Sequence, residues 1–186
     1  MAVEVAIICA LAACPLLFGV RWWLAVRSPG WARLPGELQR AELAYSERLF
    51  RTREPEAISA KVDRAYRRRD GVFVLLELKT RTHARAYHSD VIELSAQRMA
   101  LISELGRPVA AHGYVLIQAP DGRQLGCRRV RLLPPQEVIT LARRRRQLLA
   151  GAAEPRANGA PHLCAGCSHR QRCGWAGANG GSGRRT

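Results

Sequence analysis

The feature that most limits what this chain can fold into is a run of five apolar residues, Val72 to Leu76, that ends in Glu77-Leu78-Lys79. Such a run, mostly β-branched or aromatic, predicts a strand buried on both faces. The two-residue period of a strand then places Glu77 and Lys79 on one face. An acid and a base at the end of a buried strand cost free energy unless they are paired or bound to something. Asp63 lies on a neighbouring predicted strand, Ile58 to Tyr66, separated from the first by the turn-forming Arg69-Asp70-Gly71. A carboxylate on one strand and Glu-x-Lys on the next can build a site for Mg²⁺ or Mn²⁺, which prefer oxygen ligands and keep some of their waters. In that arrangement Asp63 and Glu77 hold the ion, and Lys79 positions the attacking water and offsets charge on a scissile phosphate. An exposed Asp and a Glu-x-Lys can equally form no more than a surface salt bridge.

Two further features widen the pattern. A helix predicted over Asp90 to Leu105, capped by Ser89 or Asp90 and closed by Gly106, carries Leu94, Gln97, Leu101 and Leu105 on one face. Gln97 thus falls within an apolar stripe, where a buried amide requires partners. Near the C-terminus stands Cys164-x2-Cys167-x5-Cys173. The series Glu47, Asp63, Glu77-Leu78-Lys79, Gln97 resembles the PD-(D/E)XK nuclease superfamily, and within it the RecB-like nucleases. Members that carry a C-terminal cysteine cluster include the CRISPR-associated exonuclease family. The resemblance runs from Glu37 to Cys173. It implies an α/β restriction-endonuclease-like core, a mixed central sheet flanked by helices, with Asp63, Glu77, Lys79 and Gln97 at the active site and Glu47 assisting. It also implies DNA, as ends or single strands, as the substrate. The chain departs from the family at two points: no His precedes His83, and Leu101 stands where a Tyr follows the Gln by four residues.

Thirty Lys and Arg against fifteen Asp and Glu leave a net charge of +15. Nearly all of these bases are Arg, the side chain suited to bidentate phosphate contact. The balance points to a polyanion or an anionic membrane surface. Residues Val5 to Val20 form an apolar run of sixteen, short of the roughly 20 needed to cross a bilayer. Counting on through Trp22 and Trp23 to Val26 supplies the length, with Arg21 snorkelling to the interface. We therefore expect a transmembrane anchor over residues 1–27, with Arg21, Arg27 and Arg33 placing the body in the cytoplasm. A buried N-terminal helix, or a lipoprotein box at Leu11-Ala12-Ala13-Cys14, are the competing readings.

A linker is expected over 28–36, the nuclease-like core over 37–150, the cysteine segment over 151–174 and a disordered tail over 175–186. Leu38, Ala41, Tyr45 and Leu49 predict a helix over Glu37 to Arg51, carrying Glu47. After the Glu-x-Lys strand comes a polar loop whose Arg81, Arg85 and Tyr87 could guide a nucleic-acid strand by phosphate contact and stacking. Val109–Gln118 and Leu125–Leu133 predict a hairpin of strands, the second with Arg128 and Arg129, and Pro134–Ala150 a helix. The eight Arg between Asp121 and Ala150 make a candidate phosphate-tracking surface.

The thiols of Cys164, Cys167 and Cys173 can converge on one soft metal centre. The resemblance implies a [4Fe-4S] cluster completed by a fourth Cys upstream of the core, which this chain lacks outside its apolar N-terminus. Cys127, a His or a non-protein group would then complete it, and spacing alone equally permits Zn²⁺ in a Cys₃His site. Two other functions stay open: a non-catalytic nucleic-acid-binding module with a structural metal cluster, and a lipid-surface protein.

Overall fold

The computed structural model describes residues 34–156, 164 and 167–173. Its elements are α1 (Gly36–Gln39), β1 (Glu42–Thr52), β2 (Ile58–Arg67), β3 (Phe73–Thr80), α2 (His88–Leu105), β4 (Val109–Gln118), β5 (Gln124–Arg131) and α3 (Pro135–Leu149), followed by a 3₁₀ turn at Arg170–Arg172. The strands form one five-stranded mixed sheet in chain order, β1-β2-β3-β4-β5. Neighbours are antiparallel except β3 and β4. A parallel pair cannot be joined by a hairpin, and α2 supplies the crossover.

The apolar run that opens β3 has two cores to fill. Phe73 and Leu75 point to the side covered by Leu94, Ala100 and Leu101 of α2, together with Phe50, Val62 and Val115. Val74 and Leu76 point to the opposite side, where Leu38 of α1 packs with Tyr66, Tyr114 and Leu116. Helices thus cover both faces. On β4, Gly113 allows α2 its close approach: a Cβ there would lie 3.2 Å from the Leu75 carbonyl oxygen and 3.4 Å from the Leu94 methyls.

The helix expected over Glu37 to Arg51 is replaced by the four-residue α1 and the strand β1, so Glu47 stands on a strand. Apolar residues three to four apart misled here for a physical reason. Tyr45 and Phe50 reach the core, but Leu43 and Leu49 are exposed on an edge strand. The β1 backbone is satisfied instead by a ladder to β2 that runs from Glu42–Arg67 to Thr52–Ile58. Glu47 has φ 54°, a left-handed conformation that an α-helix excludes. The helix start also differs, since Tyr87 is the N-cap and Asp90 reaches back from the third helical position to accept the Tyr87 N–H at 2.8 Å.

Gly36 belongs to α1 rather than to a linker. The described chain divides into two compact units between Ile139 and Thr140, within α3. No described helix is long and apolar enough to cross a membrane. The expected anchor over 1–27 and the expected tail over 175–186 lie outside the described residues.

Candidate active site

The site forms where two strands part. β2 and β3 pair only from Arg67–Phe73 to Arg64–Leu76. Beyond that point the backbone groups facing the gap need other partners, and side chains provide them. The Leu78 N–H donates to Asp63 Oδ2 at 2.9 Å. The Lys61 carbonyl accepts from Gln97 Nε2, also at 2.9 Å. Both of these side chains are thereby held at the mouth of the gap. Val62 and Ala65 both face the α2 core although they are three residues apart, so the alternation of β2 slips where Asp63 sits.

Glu77 lies in this notch, 2% exposed. Its Oε1 accepts from Lys79 Nζ at 2.7 Å and its Oε2 from Gln97 Nε2 at 2.7 Å. Lys79 also bonds Glu93 of α2 at 2.7 Å. Burial drives the Glu77 pKa up to about 7; the hydrogen bonds from Lys79 and Gln97 oppose this, and the negative charges of Asp63 and Glu93 add to it. Burial acts against the Lys79 ammonium as well, but its bonds to Glu77 and Glu93 outweigh it and hold that pKa above the usual lysine value.

Two carboxylates, Glu77 and Glu93, bond the Lys79 ammonium, and Asp63 adds its negative charge at Glu77, an excess that a hard divalent cation would offset. The donor set is all oxygen. Gln97 Oε1 is buried with no hydrogen-bond partner, an acceptor suited to a water carried by such an ion. Among the described residues no three His, Cys, Asp or Glu converge as a ligand set. The protein would thus offer Asp63 and Glu77, with water completing the shell, as Mg²⁺ and Mn²⁺ accept. The residues present fit the ion.

The chain holds only two lysines, Lys61 and Lys79, and both flank the notch. Lys61 pairs with Glu47 and lies within the field of Asp63. Where bulk positive charge suffices the chain uses Arg; here it uses a compact ammonium, which approaches one oxygen as a point charge.

Glu47 falls between the pairs Ser46–Arg64 and Arg48–Val62, opposite Asp63 across the ladder. Its side chain is more than half exposed and meets Lys61 rather than Glu77. Sequence reasoning missed Glu93. The available signal was its spacing: four residues before Gln97, it shares the face of α2 that looks onto the notch.

The residues proposed to meet nucleic acid divide. Arg81 is committed internally, donating to both oxygens of the buried Asp90 carboxylate at 2.5 and 2.7 Å and to the Arg85 carbonyl. It also stacks on Tyr87 with its guanidinium 4.5 Å from the ring centre. Arg81 thus shapes the loop. Arg85 and Tyr87 are exposed, one against the other. Arg128 donates to the Ala84 carbonyl at 3.1 Å and ties this loop to β5. Arg129, one residue on, points to the other face of the sheet, beside Tyr114. Strand alternation separates what the sequence had grouped.

Cys127 packs with the α1-side core, and burial pushes its thiol up to about 11. Cys164 and Cys173 are partly exposed and Cys167 exposed, all with free thiols. A turn links the first pair, with the Cys167 N–H bonded to the Cys164 carbonyl. Among the described residues these three thiols do not converge as a ligand set.

No family model matches the chain, and no curated protein does. Among solved structures, one titled "Crystal structure of SSO0001" is similar, with 17% identity and a TM-score of 0.41, covering 89% of this chain and 70% of that one. What the sheet and helices define is a mixed α/β protein.

Proposed function

We propose that this chain is a metal-dependent deoxyribonuclease of the PD-(D/E)XK kind, RecB-like in its motifs, that hydrolyses phosphodiester bonds. Exonuclease action on DNA ends comes from the resemblance. The observation that most supports the reading is the grouping of Asp63, Glu77, Lys79 and Gln97 in one notch with an excess of negative charge. Mg²⁺ or Mn²⁺ held by Asp63 and Glu77 supplies Lewis-acid stabilisation of the charge that develops on the phosphate. Lys79 lies on the solvent side of Glu77, about one quarter exposed, where its ammonium meets an incoming phosphate oxygen or orients a water. Gln97 fixes the Glu77 rotamer from behind. Glu93 keeps Lys79 protonated and aimed. Glu47 and Lys61 sit at the outer edge of the notch.

The same proposal includes a single N-terminal membrane anchor with the body in the cytoplasm, drawn from the sequence. It also includes an iron–sulfur cluster, or zinc, held by Cys164, Cys167 and Cys173. Cys127, a His or a non-protein group would complete the set.

The test is cleavage of end-labelled single- and double-stranded DNA by the purified protein with Mg²⁺ or Mn²⁺. Asp63→Ala and Lys79→Ala each reduce the rate by roughly a hundredfold or more, the scale for losing a group that stabilises developing charge. Absence of cleavage, or cleavage that survives both substitutions, would sink the assignment.

A further inference from the structure

A second charged feature lies away from the notch. Residues Arg40, Glu42, Arg67, Arg68, Arg69 and Gly71 line a surface cavity of about 390 Å³. Arg67 pairs with Phe73 at the start of β3, six residues from Lys79. At the strand rise this places the cavity about 20 Å from the catalytic ammonium.

The wall is organised before any ligand arrives. Arg68 bonds Glu37 at 3.0 Å and Asp70. Glu37 in turn accepts from the Tyr114 hydroxyl at 2.8 Å and contacts His112 at 2.9 Å. These bonds hold the Glu37 carboxyl below its usual pKa although burial works the other way. Asp70 also accepts the Val72 N–H at 3.1 Å, and Gly71, with φ 81°, closes the turn. The guanidinium of Arg68 is therefore fixed through α1, β4 and the β2–β3 turn together. Arg67 pairs with Glu42 at 2.6 Å.

Arg40 and Arg69 differ. Both are exposed, and neither has an ion pair or hydrogen-bonded side chain among the described residues. Among the described residues the lining thus carries four guanidiniums against the one carboxylate of Glu42. Among the described residues the cavity's lining includes no aromatic or aliphatic side chain on which a base or lipid chain could rest. Its chemistry reads charge and the oxygen geometry of phosphate, and nothing else.

We propose that this cavity is a second phosphate-binding site, which holds the backbone of a nucleic acid at a point remote from the notch. Arg40 and Arg69 make the direct contacts, Arg68 forms the fixed floor, and Arg67 can exchange Glu42 for the ligand. A backbone contact there recruits substrate and sets its register without taking part in bond cleavage. The inference rests on the reading that the chain acts on DNA, but it is measured by binding rather than turnover. Twenty ångströms corresponds to about six base pairs, so only longer duplexes engage both places.

The experiment compares the full chain with Arg40→Ala/Arg69→Ala and with Arg51→Ala/Arg53→Ala, a control that removes two exposed charges outside the cavity. Binding of a twenty-base-pair duplex and of a four-nucleotide strand is measured by fluorescence anisotropy over a salt series with Ca²⁺ in place of Mg²⁺. The cavity variant should lose about two units of salt slope and roughly thirtyfold in affinity for the duplex at about 0.15 M salt, the counterion-release factor for two phosphates. The short strand should lose little, and the cavity variant's cleavage rate at saturating duplex should match that of the unaltered chain. Equal losses in the two double variants, or none in either, overturn the proposal. So does binding of phosphatidylglycerol vesicles through Arg40 and Arg69 with duplex affinity unchanged. Failure of the nuclease reading shows separately, as absent cleavage by the unaltered chain.

Discussion

Glu77→Gln tests the electrostatics of the notch without relying on turnover. The carboxyl has its ordinary pKa of 4.5 raised to about 7 in the folded chain. A raised pKa means that the folded state holds the proton more tightly than the unfolded one. The stabilisation this provides is complete below about pH 4.5 and disappears as pH rises through 7. Over that window the unaltered protein loses about 3 kcal/mol of stability at 1.36 kcal/mol per pKa unit. Integrating from about pH 5 to about pH 8.5 leaves a loss of about 2.5 kcal/mol. The amide cannot ionise, so the variant lacks this loss. It does carry a fixed offset, because an amide offers one acceptor where Lys79 and Gln97 each used an oxygen. The readout is therefore the change with pH. Urea unfolding of both proteins in EDTA should show the variant gaining about 2.5 kcal/mol on the unaltered chain between those pH values. Groups away from the notch cancel in the difference, and Lys79, whose pKa is held above the usual lysine value, titrates above this window. A gap that stays constant within about 0.5 kcal/mol would refute the idea that burial and neighbouring acids strain this carboxylate. Added Mn²⁺ should shrink the gap at high pH, since only the native Glu77 can bind it.

Metal and proton compete for Glu77, so Mn²⁺ should raise the melting temperature of the unaltered protein more at about pH 8 than at about pH 5.5, and in Asp63→Ala the rise should be largely lost; an equal rise at both pH values in both proteins would place the ion elsewhere. Gln97→Met leaves the Lys61 carbonyl and one Glu77 oxygen without a donor and should cost about 1–3 kcal/mol in urea unfolding, with Glu77 pushed still higher; a loss well below that range would show that water replaces the amide. Gly113→Val drives a branched side chain against the Leu75 carbonyl and the Leu94 methyls and should destabilise by about 1–3 kcal/mol, read as an earlier urea midpoint. Elemental analysis of anaerobically purified protein should find iron and sulfide bound through Cys164, Cys167 and Cys173, lost together in Cys167→Ser; stoichiometric zinc instead would replace the iron–sulfur reading.

Legibility followed the range of the interactions. The run Val72–Lys79 reads as a doubly buried strand because each of its residues obeys a two-residue period, and α2 reads as a helix because Leu94, Gln97 and Leu101 share a stripe that Gly106 ends. β4 matches its expected bounds, Val109–Gln118, residue for residue. These are local signals, and local chemistry sufficed. β1 was misread because its hydrogen bonds are made to another strand. Nothing within Glu42–Thr52 states that β2 will be there to receive them, and Glu47 has a backbone angle that only the assembled sheet imposes. Arg128 and Arg129 are neighbours in the sequence and are sent to opposite faces by β5. Glu93 gained significance only when Lys79 was found against it.

By itself the sequence determined which groups this protein can use: hard oxygen donors at Asp63 and Glu77, two lysines amid a chain of arginines, and three clustered thiols. Tertiary structure decided which of them meet. The parting of β2 from β3 leaves backbone groups that Asp63 and Gln97 must satisfy, and this draws those side chains to Glu77. The same folding brings Arg40 to the turn at Arg67–Arg69. Proximity across strands is set by a ladder of backbone bonds that all residue types share, and for that reason it leaves little trace in residue identity.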